Sequence, residues 1–302
     1  MTDNKTPKPL REISTEGCKM LGKGGNGAVY RLDDETIVKV YDSKRYSPER
    51  INKSRETTRS AFVQGVPTMI AFDMVKVGEN YVVVYEMINA ESMNDVIASS
   101  PDKTEEFGHL IADTLKSLHS TEFDEGALPD ARRLIRDEVR VTAEMGIYNS
   151  SQAKKVYSLV GQIPFRNTFI HHDFHPGNLM YQNGSILLID IDDAGLGHPI
   201  IDLASMYLVY VSAAKASWKV NENEITGKQY ALLWDTIIKD YFGTSSPADI
   251  KEINRIIKGY SLIRFIKGVA CKQEIPAVIR KAVVGWSKHQ LFSMIDTLKV
   301  IP

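Results

Sequence analysis

The segment Phe169-Ile170-His171-His172-Asp173-Phe174-His175-Pro176-Gly177-Asn178-Leu179-Met180 decides how this chain is read, together with Ile189-Asp190, whose acid follows Asn178 by twelve residues. Two carboxylates and a carboxamide stand at fixed spacing between short apolar runs. One carboxylate can take a proton from an attacking hydroxyl. An amide oxygen and a second carboxylate are hard donors suited to magnesium on phosphates. The histidines raise a rival reading, because His171 and His175 have the His-x-x-x-His spacing of a zinc site on one helical face. Pro176-Gly177 interrupts any helix there, so the segment reads as a loop and the zinc reading falls away.

Upstream, Gly22-Lys23-Gly24-Gly25-Asn26-Gly27-Ala28-Val29 reads G-x-G-x-x-G-x-V. Glycines allow a hairpin turn to close over phosphates, because no Cβ blocks the approach. A plain hairpin turn has the same pattern. A dinucleotide fingerprint needs a helix directly after the glycines. Here β-rich residues follow, so that reading loses. Lys39 sits among valines in Thr36 to Tyr41: buried, it needs a partner, and on the polar face of the strand it would meet solvent.

The first ninety residues have strand character. Val29 to Leu32 and Thr36 to Tyr41 flank the polar turn Asp33-Asp34-Glu35, and Thr68 to Phe72 and Tyr81 to Tyr85 lie either side of Gly78-Glu79-Asn80. One helix interrupts them, capped by Ser47, with Pro48 at its first position and Gly65 and Pro67 at its end. This predicts five strands and one helix in a small antiparallel lobe. From Ser92 onward the periodicity is helical: Phe107 to His119, Asp130 to Ile147, Gln152 to Val160, Ile201 to Ala214, Thr226 to Phe242, Pro247 to Gly268 and Ile275 to Val300. Two strands, Leu179 to Tyr181 and Ser185 to Asp190, meet at the turn Gln182-Asn183-Gly184.

Composition bounds the function. The 302 residues are 43% hydrophobic and 25% charged with a net charge of −1, so no whole-protein field recruits nucleic acid or an anionic membrane. No stretch approaches the ~20 apolar residues of a membrane span. The polar start has no apolar core of a signal peptide, and Cys18 and Cys271 read as unpaired thiols, so a cytoplasmic setting is expected.

Taken together, these motifs resemble the protein-kinase-like phosphotransferases, and among them the aminoglycoside phosphotransferase and choline kinase branch. The likeness runs over about residues 17 to 210. It rests on His171-x-Asp173 with Asn178, on Ile189-Asp190, and on Asp202-Leu203-Ala204, in that order and spacing. The resemblance implies an α+β, bilobal protein-kinase-like fold with a small antiparallel β lobe and a larger, mainly helical lobe. Residues 1–10 would be a flexible start, 11–88 the nucleotide-binding lobe, and 89–302 the helical lobe with catalytic loop and acceptor site. It implies ATP and Mg2+ as cofactors and a small-molecule hydroxyl as acceptor. Asp173 would orient and deprotonate that hydroxyl, and Asn178 and Asp190 would bind the metal. Gly22, Gly24, Gly27 and Val29 would cover the nucleotide. Lys39 would hold its phosphates, with a glutamate of the next helix as partner. Glu56 is the choice, since the helix dipole alone explains Glu49. Adenine would meet the backbone of Glu86 to Ile88, at the lobe junction.

Departures from protein kinases narrow the expectation. Only eleven residues separate Asp190 from Asp202, too few for a peptide-docking activation segment, and His172 stands where an arginine would answer a phosphorylated loop. Both favour a small-molecule kinase over a protein kinase, and the presence of all the expected catalytic groups argues against a non-catalytic scaffold. Asp202 reads as a helix cap or a brace for the catalytic loop. Asp192 and Asp193 read as a polar turn, a second metal contact or acceptor ligands. Trp218 and Trp234 are candidates for a cation-binding box, with core packing the better reading of Trp234. The basic residues from Lys251 to Lys288, Arg264 among them, read as a solvated helix face.

Overall fold

The computed structural model describes residues 10–24, 27–43, 46–213 and 224–301. It divides into two compact units: the described residues of Met1–Ala90 with Leu187–Asp192, and those of Glu91–Ile186 with Asp193–Pro302.

In the first unit, strands β1 (Met20–Gly24), β2 (Gly27–Arg31), β3 (Thr36–Tyr41), β4 (Ala71–Val77) and β5 (Asn80–Glu86) form one antiparallel sheet in the order β1-β2-β3-β5-β4. Asp33 makes the β2–β3 turn by accepting the N–H groups of Glu35 and Thr36. Side chains of β3 alternate between two apolar clusters. Ile37 and Tyr41 pack with Ile51, Ala71, Val83 and Tyr85, whereas Val38 packs with Val75, Val82 and Val84. Lys39, between Ile37 and Tyr41, therefore belongs to the face that carries helix α1 (Pro48–Val63). Ser47 caps α1 by accepting Arg50 N–H, and Ile51, Ser54, Thr57, Thr58 and Ala61 form its buried stripe.

The fourth strand begins at Ala71, later than the periodicity predicts. Thr68 instead bridges the incoming segment: Leu188 N–H donates to Pro67 O at 2.7 Å, and Thr68 Oγ1 donates to Leu188 O at 2.9 Å. Those two bonds fasten Leu187–Asp192 onto the first unit and so deliver Asp190 to it.

The second unit holds α2 (Met93–Ser99), α3 (Thr104–Ser120), α4 (Arg132–Glu144), α5 (Ser150–Gly161), α6 (Ile200–Tyr207), α7 (Gly227–Phe242), α8 (Pro247–Cys271) and α9 (Ala277–Phe292). Short strands frame its loops. β6 (Glu91–Ser92) pairs with β8 (Leu179–Gln182), and β8 turns at Asn183-Gly184, both at positive φ, into β9 (Ser185–Leu188). β7 (Phe169–Ile170) pairs with β10 (Gly195–Leu196).

The helix expected to run to Val300 stops at Phe292. Ile295, Leu298 and Ile301 are buried, and Leu298 lies so close to Gly259 of α8 that a Cβ there would meet its methyl at 2.3 Å. Packing on α8 outweighs continuation of the helix. The helix expected over 201–214 passes from α6 into a π-helical turn, Leu208–Ala213; Ala214 lies outside the described residues. Trp234 is core: it is 6% exposed, packs edge-on against Tyr207 and tilted against Tyr210, and donates its N–H to Asn254. Trp218 lies outside the described residues. Among the described residues, no helix is long and apolar enough to cross a membrane.

Candidate active site

The first unit presents a lysine with two acids. Register places Gly22, Val29, Lys39 and Val83 in one row across the sheet, so Val29 shares the Lys39 face. Lys39 Nζ bonds Asp190 Oδ1 at 2.6 Å and Asp192 Oδ2 at 2.6 Å. Burial alone would depress the lysine pKa, but the charges of Asp192 and Asp190 outweigh it and raise it above the ordinary value, so the ammonium stays charged. Asp192 also accepts from Ser54 Oγ and from Tyr41 Oη, the latter at 3.4 Å, and Tyr41 Oη meets Tyr85 Oη at 3.0 Å.

Glu56 is corrected by this geometry. It pairs with Arg55 and is half-exposed, not with Lys39. At about 100° per residue it lies some 200° around α1 from Ser54, on the opposite side from the buried stripe. Glu49 lies on that outer side too, and its carboxylate is drawn down by Ser47.

The glycines divide by need. Gly27 has φ +144°, and a Cβ there would sit 2.0 Å from Val40 O, so the sheet itself demands glycine. A Cβ on Gly22 would meet nothing within 4 Å. The fold does not require that glycine, which leaves open space on the row of Lys39. Gly24 pairs with Gly27 at the hairpin end; Gly25 and Asn26 lie outside the described residues. At the end of β5, the Glu86 and Met87 N–H groups are used by Ile70 O and Glu35 O.

The second unit carries the loop after β7. Asp202, fully buried at the start of α6, accepts His171 N–H at 2.9 Å and His172 N–H at 2.6 Å. His119 of α3 adds a third bond at 3.2 Å and meets Tyr241 Oη at 2.7 Å. Burial would raise the Asp202 pKa, but these histidines hold it below the usual carboxylate value. From α8, Arg264 donates to His172 O at 2.8 Å and faces Glu138 at 3.4 Å. One member of the basic run has therefore turned inward.

With its backbone clamped on both sides, His172 takes φ +71° and the chain turns Asp173 outward, its side chain 56% exposed. Asn178 Nδ2 donates to Asp173 O at 2.9 Å and to Asp173 Oδ2 at 3.2 Å. His175 Nδ1 accepts Gly177 N–H at 3.1 Å, and its other ring nitrogen lies 3.5 Å from Asp173. Burial pushes the Asp173 pKa up, yet His175, His171 and Arg264 pull it below the ordinary value. It is an ionised carboxylate and a weak base.

Asn178 in the second unit and Asp190 in the first each carry an oxygen of the type that magnesium takes. Asn178 commits its amide hydrogens to Asp173, so its oxygen is the group it offers a cation. Asp190 is held at φ +58° with 31% of its side chain exposed, against 6% for Asp192. Both are hard oxygen ligands of the type magnesium takes beside phosphate oxygens.

Sequence reasoning named Lys39, Asp173, Asn178 and Asp190, and the structure joins Lys39 to Asp190 and Asn178 to Asp173. It missed Ser54, Tyr41, Tyr85, His119 and Arg264, and it left Asp192 among three readings. Only Asp192, two residues after Asp190, was a visible signal for the Lys39 cluster.

Buried His172 has a measurable signature. Burial first, then Arg264, lowers its pKa from 6.5 to about 4, and its Nε2 has no partner among the described residues. The unfolded chain therefore binds the extra proton between those values. The stability is full above pH 6.5 and is lost as pH falls toward 4. Urea unfolding at pH 7 and pH 5 should show wild type losing roughly 2 kcal/mol more than His172→Asn, which tolerates the left-handed backbone. Equal losses would refute the buried neutral imidazole.

A lysine-bearing antiparallel sheet with one helix, and a helical unit whose loop offers an acid and an amide five residues apart, define a protein-kinase-like phosphotransferase. The chain belongs to the phosphotransferase enzyme family, whose profile matches residues 18–232. No curated protein matches the sequence. Solved structures with the same fold include the amicoumacin kinase hAmiN in complex with AMP-PNP, Ca2+ and Ami, at 14% identity and TM-score 0.61, covering 97% of this chain and 92% of that one. The ADP-bound aminoglycoside phosphotransferase APH(2'')-Ib has 15% identity and TM-score 0.58 over 92% and 94% of the two chains. A choline/ethanolamine kinase family protein from Mesorhizobium loti has 15% identity and TM-score 0.54 over 93% and 88%.

Proposed function

We propose that the protein moves the γ-phosphoryl group of ATP to a hydroxyl of a small molecule, with magnesium as counter-ion. The observation that carries this reading is the Lys39–Asp190 ion pair, formed by residues 151 positions apart. A lysine buried among valines has no structural need for two acids, but phosphate binding needs a charged lysine beside a metal-ligating carboxylate. Asn178 and Asp190 would hold the magnesium, which neutralises charge developing on the transferred group. Gly22, Gly24, Gly27, Val29 and Lys39 serve the nucleotide, and Glu86 to Ile88 its base. Asp173 orients the acceptor hydroxyl and receives its proton.

A small acceptor is favoured by the path from Asp190 to Asp202. It holds only a turn, β10 and the approach to α6, with no segment long enough to dock a peptide. The named neighbours suggest aminoglycosides, amicoumacin-type compounds and amino alcohols as the first acceptors to try. The test is ADP release in the presence of Mg2+ and ATP across these compounds, sugars and nucleosides. One acceptor should raise release well above the acceptor-free rate and gain a phosphate by mass. Phosphate entering protein substrates instead, or no acceptor-dependent release on any compound, would overturn the reading.

A further inference from the structure

We infer that Asp192 is the standing partner of Lys39, in the role first expected of a glutamate on α1, and that Asp190 is the exchangeable partner surrendered on nucleotide binding. This rests on the nucleotide reading proposed above.

Both acids touch Lys39 at the same distance, but their settings differ. Asp192 spends one oxygen on Lys39 and the other on Ser54 and Tyr41. Through the Tyr41–Tyr85 hydroxyl pair the group reaches β5 as well. Asp192 is thus tied to α1, β3 and β5, and only 6% of its side chain meets solvent. Asp190 is five times more exposed at 31% and takes φ +58°, in the left-handed region, two residues after the fastened Leu188. A buried, multiply bonded carboxylate costs more to move than an exposed one.

Helix α1 shows why an acid from elsewhere is needed. Its residue facing the cluster is Ser54, whose short hydroxyl cannot supply a counter-charge. The helix acids Glu49 and Glu56 lie on the outer side. The space a longer side chain would fill from the helix is taken by Asp192, with Ser54 as its hydrogen-bond donor. Charge gives the sequence of events. One ammonium between two carboxylates leaves a net negative charge, which opposes phosphates. Drawing Asp190 to a cation removes that excess, while Asp192 keeps the ammonium in place and oriented.

The test is equilibrium binding of ADP in EDTA, by calorimetry, where no metal takes part. Asp190 then competes with phosphate for Lys39, so Asp190→Asn should bind ADP as tightly as wild type or more tightly. Asp192→Asn should bind it about tenfold more weakly, because the lysine loses its anchor. Simple charge repulsion predicts the reverse for Asp192→Asn, since removing any carboxylate then tightens binding. Tightening in both variants would overturn the inference. So would a loss in Glu56→Gln equal to that in Asp192→Asn. Far-ultraviolet dichroism and melting report folding. Should Asp192→Asn not fold, Ser54→Ala serves instead: weakening of about threefold supports the anchor, and unchanged affinity overturns it. Failure of wild type to bind adenine nucleotide with or without Mg2+ would strike the functional reading, a different result from any of these.

Discussion

Asp173→Asn is expected to lower kcat by about a thousandfold, the scale of a lost general base and its orienting bond. The dissociation constant for ADP should stay within about twofold, because the residues assigned to the nucleotide lie in the other unit. The isosteric amide keeps the shape of the loop and can still meet Asn178, whose nitrogen bonds the backbone oxygen of residue 173 as well as its carboxylate. What disappears is the carboxylate proposed to accept the hydroxyl proton. Steady-state turnover on the best acceptor, paired with ADP calorimetry, reads both quantities. Wild-type kcat would remove Asp173 from the chemistry. Lost ADP binding would mean the loop itself had collapsed.

Asp202→Ala should be the most destabilising single change in the second unit, by on the order of 4 kcal/mol. Two backbone N–H groups, of His171 and His172, lose their acceptor inside a dry core, and His119 loses its partner on one side. Each buried donor left alone costs about 1–3 kcal/mol. Urea denaturation measures the loss. Asp202→Asn should retain part of the stability, since one oxygen remains, but should reduce kcat more than its stability loss explains. An amide nitrogen facing a backbone N–H repels it, and the loop that presents Asp173 shifts. If Asp202→Ala unfolds at the wild-type urea midpoint, the brace is not structural. If Asp202→Asn keeps full kcat, the loop does not depend on it.

The parts of this protein that could be read without coordinates are those written in local rules. Glycine and proline punctuation, the Ser47 cap, the valine-rich strands and the turn at Asn183-Gly184 each depend on neighbours a few positions away, and each appears where the pattern puts it. Helix α9 ends early for the opposite reason. Beyond Phe292 the chain turns so that Ile295, Leu298 and Ile301 are buried, Leu298 against Gly259 of α8. Residue types in order were enough to single out Asp173, Asn178, Asp190 and Lys39 as candidates, and the structure pairs Lys39 with Asp190 and Asn178 with Asp173.

Which charges meet was another matter. A buried ammonium needs a counter-charge, but the sequence left Lys39 either buried with a partner or facing solvent. It offered Glu56 on grounds of order along the chain. The tertiary structure decided for Asp190 and Asp192, because the Pro67 and Thr68 bonds to Leu188 bring a segment 151 positions away onto the sheet, while the turn of α1 carries Glu56 to the outer side. The inward turn of Arg264 toward His172 O has the same origin. Hydrogen-bond partners far apart in the chain are set by how elements pack, and the packing exists only once the chain has folded.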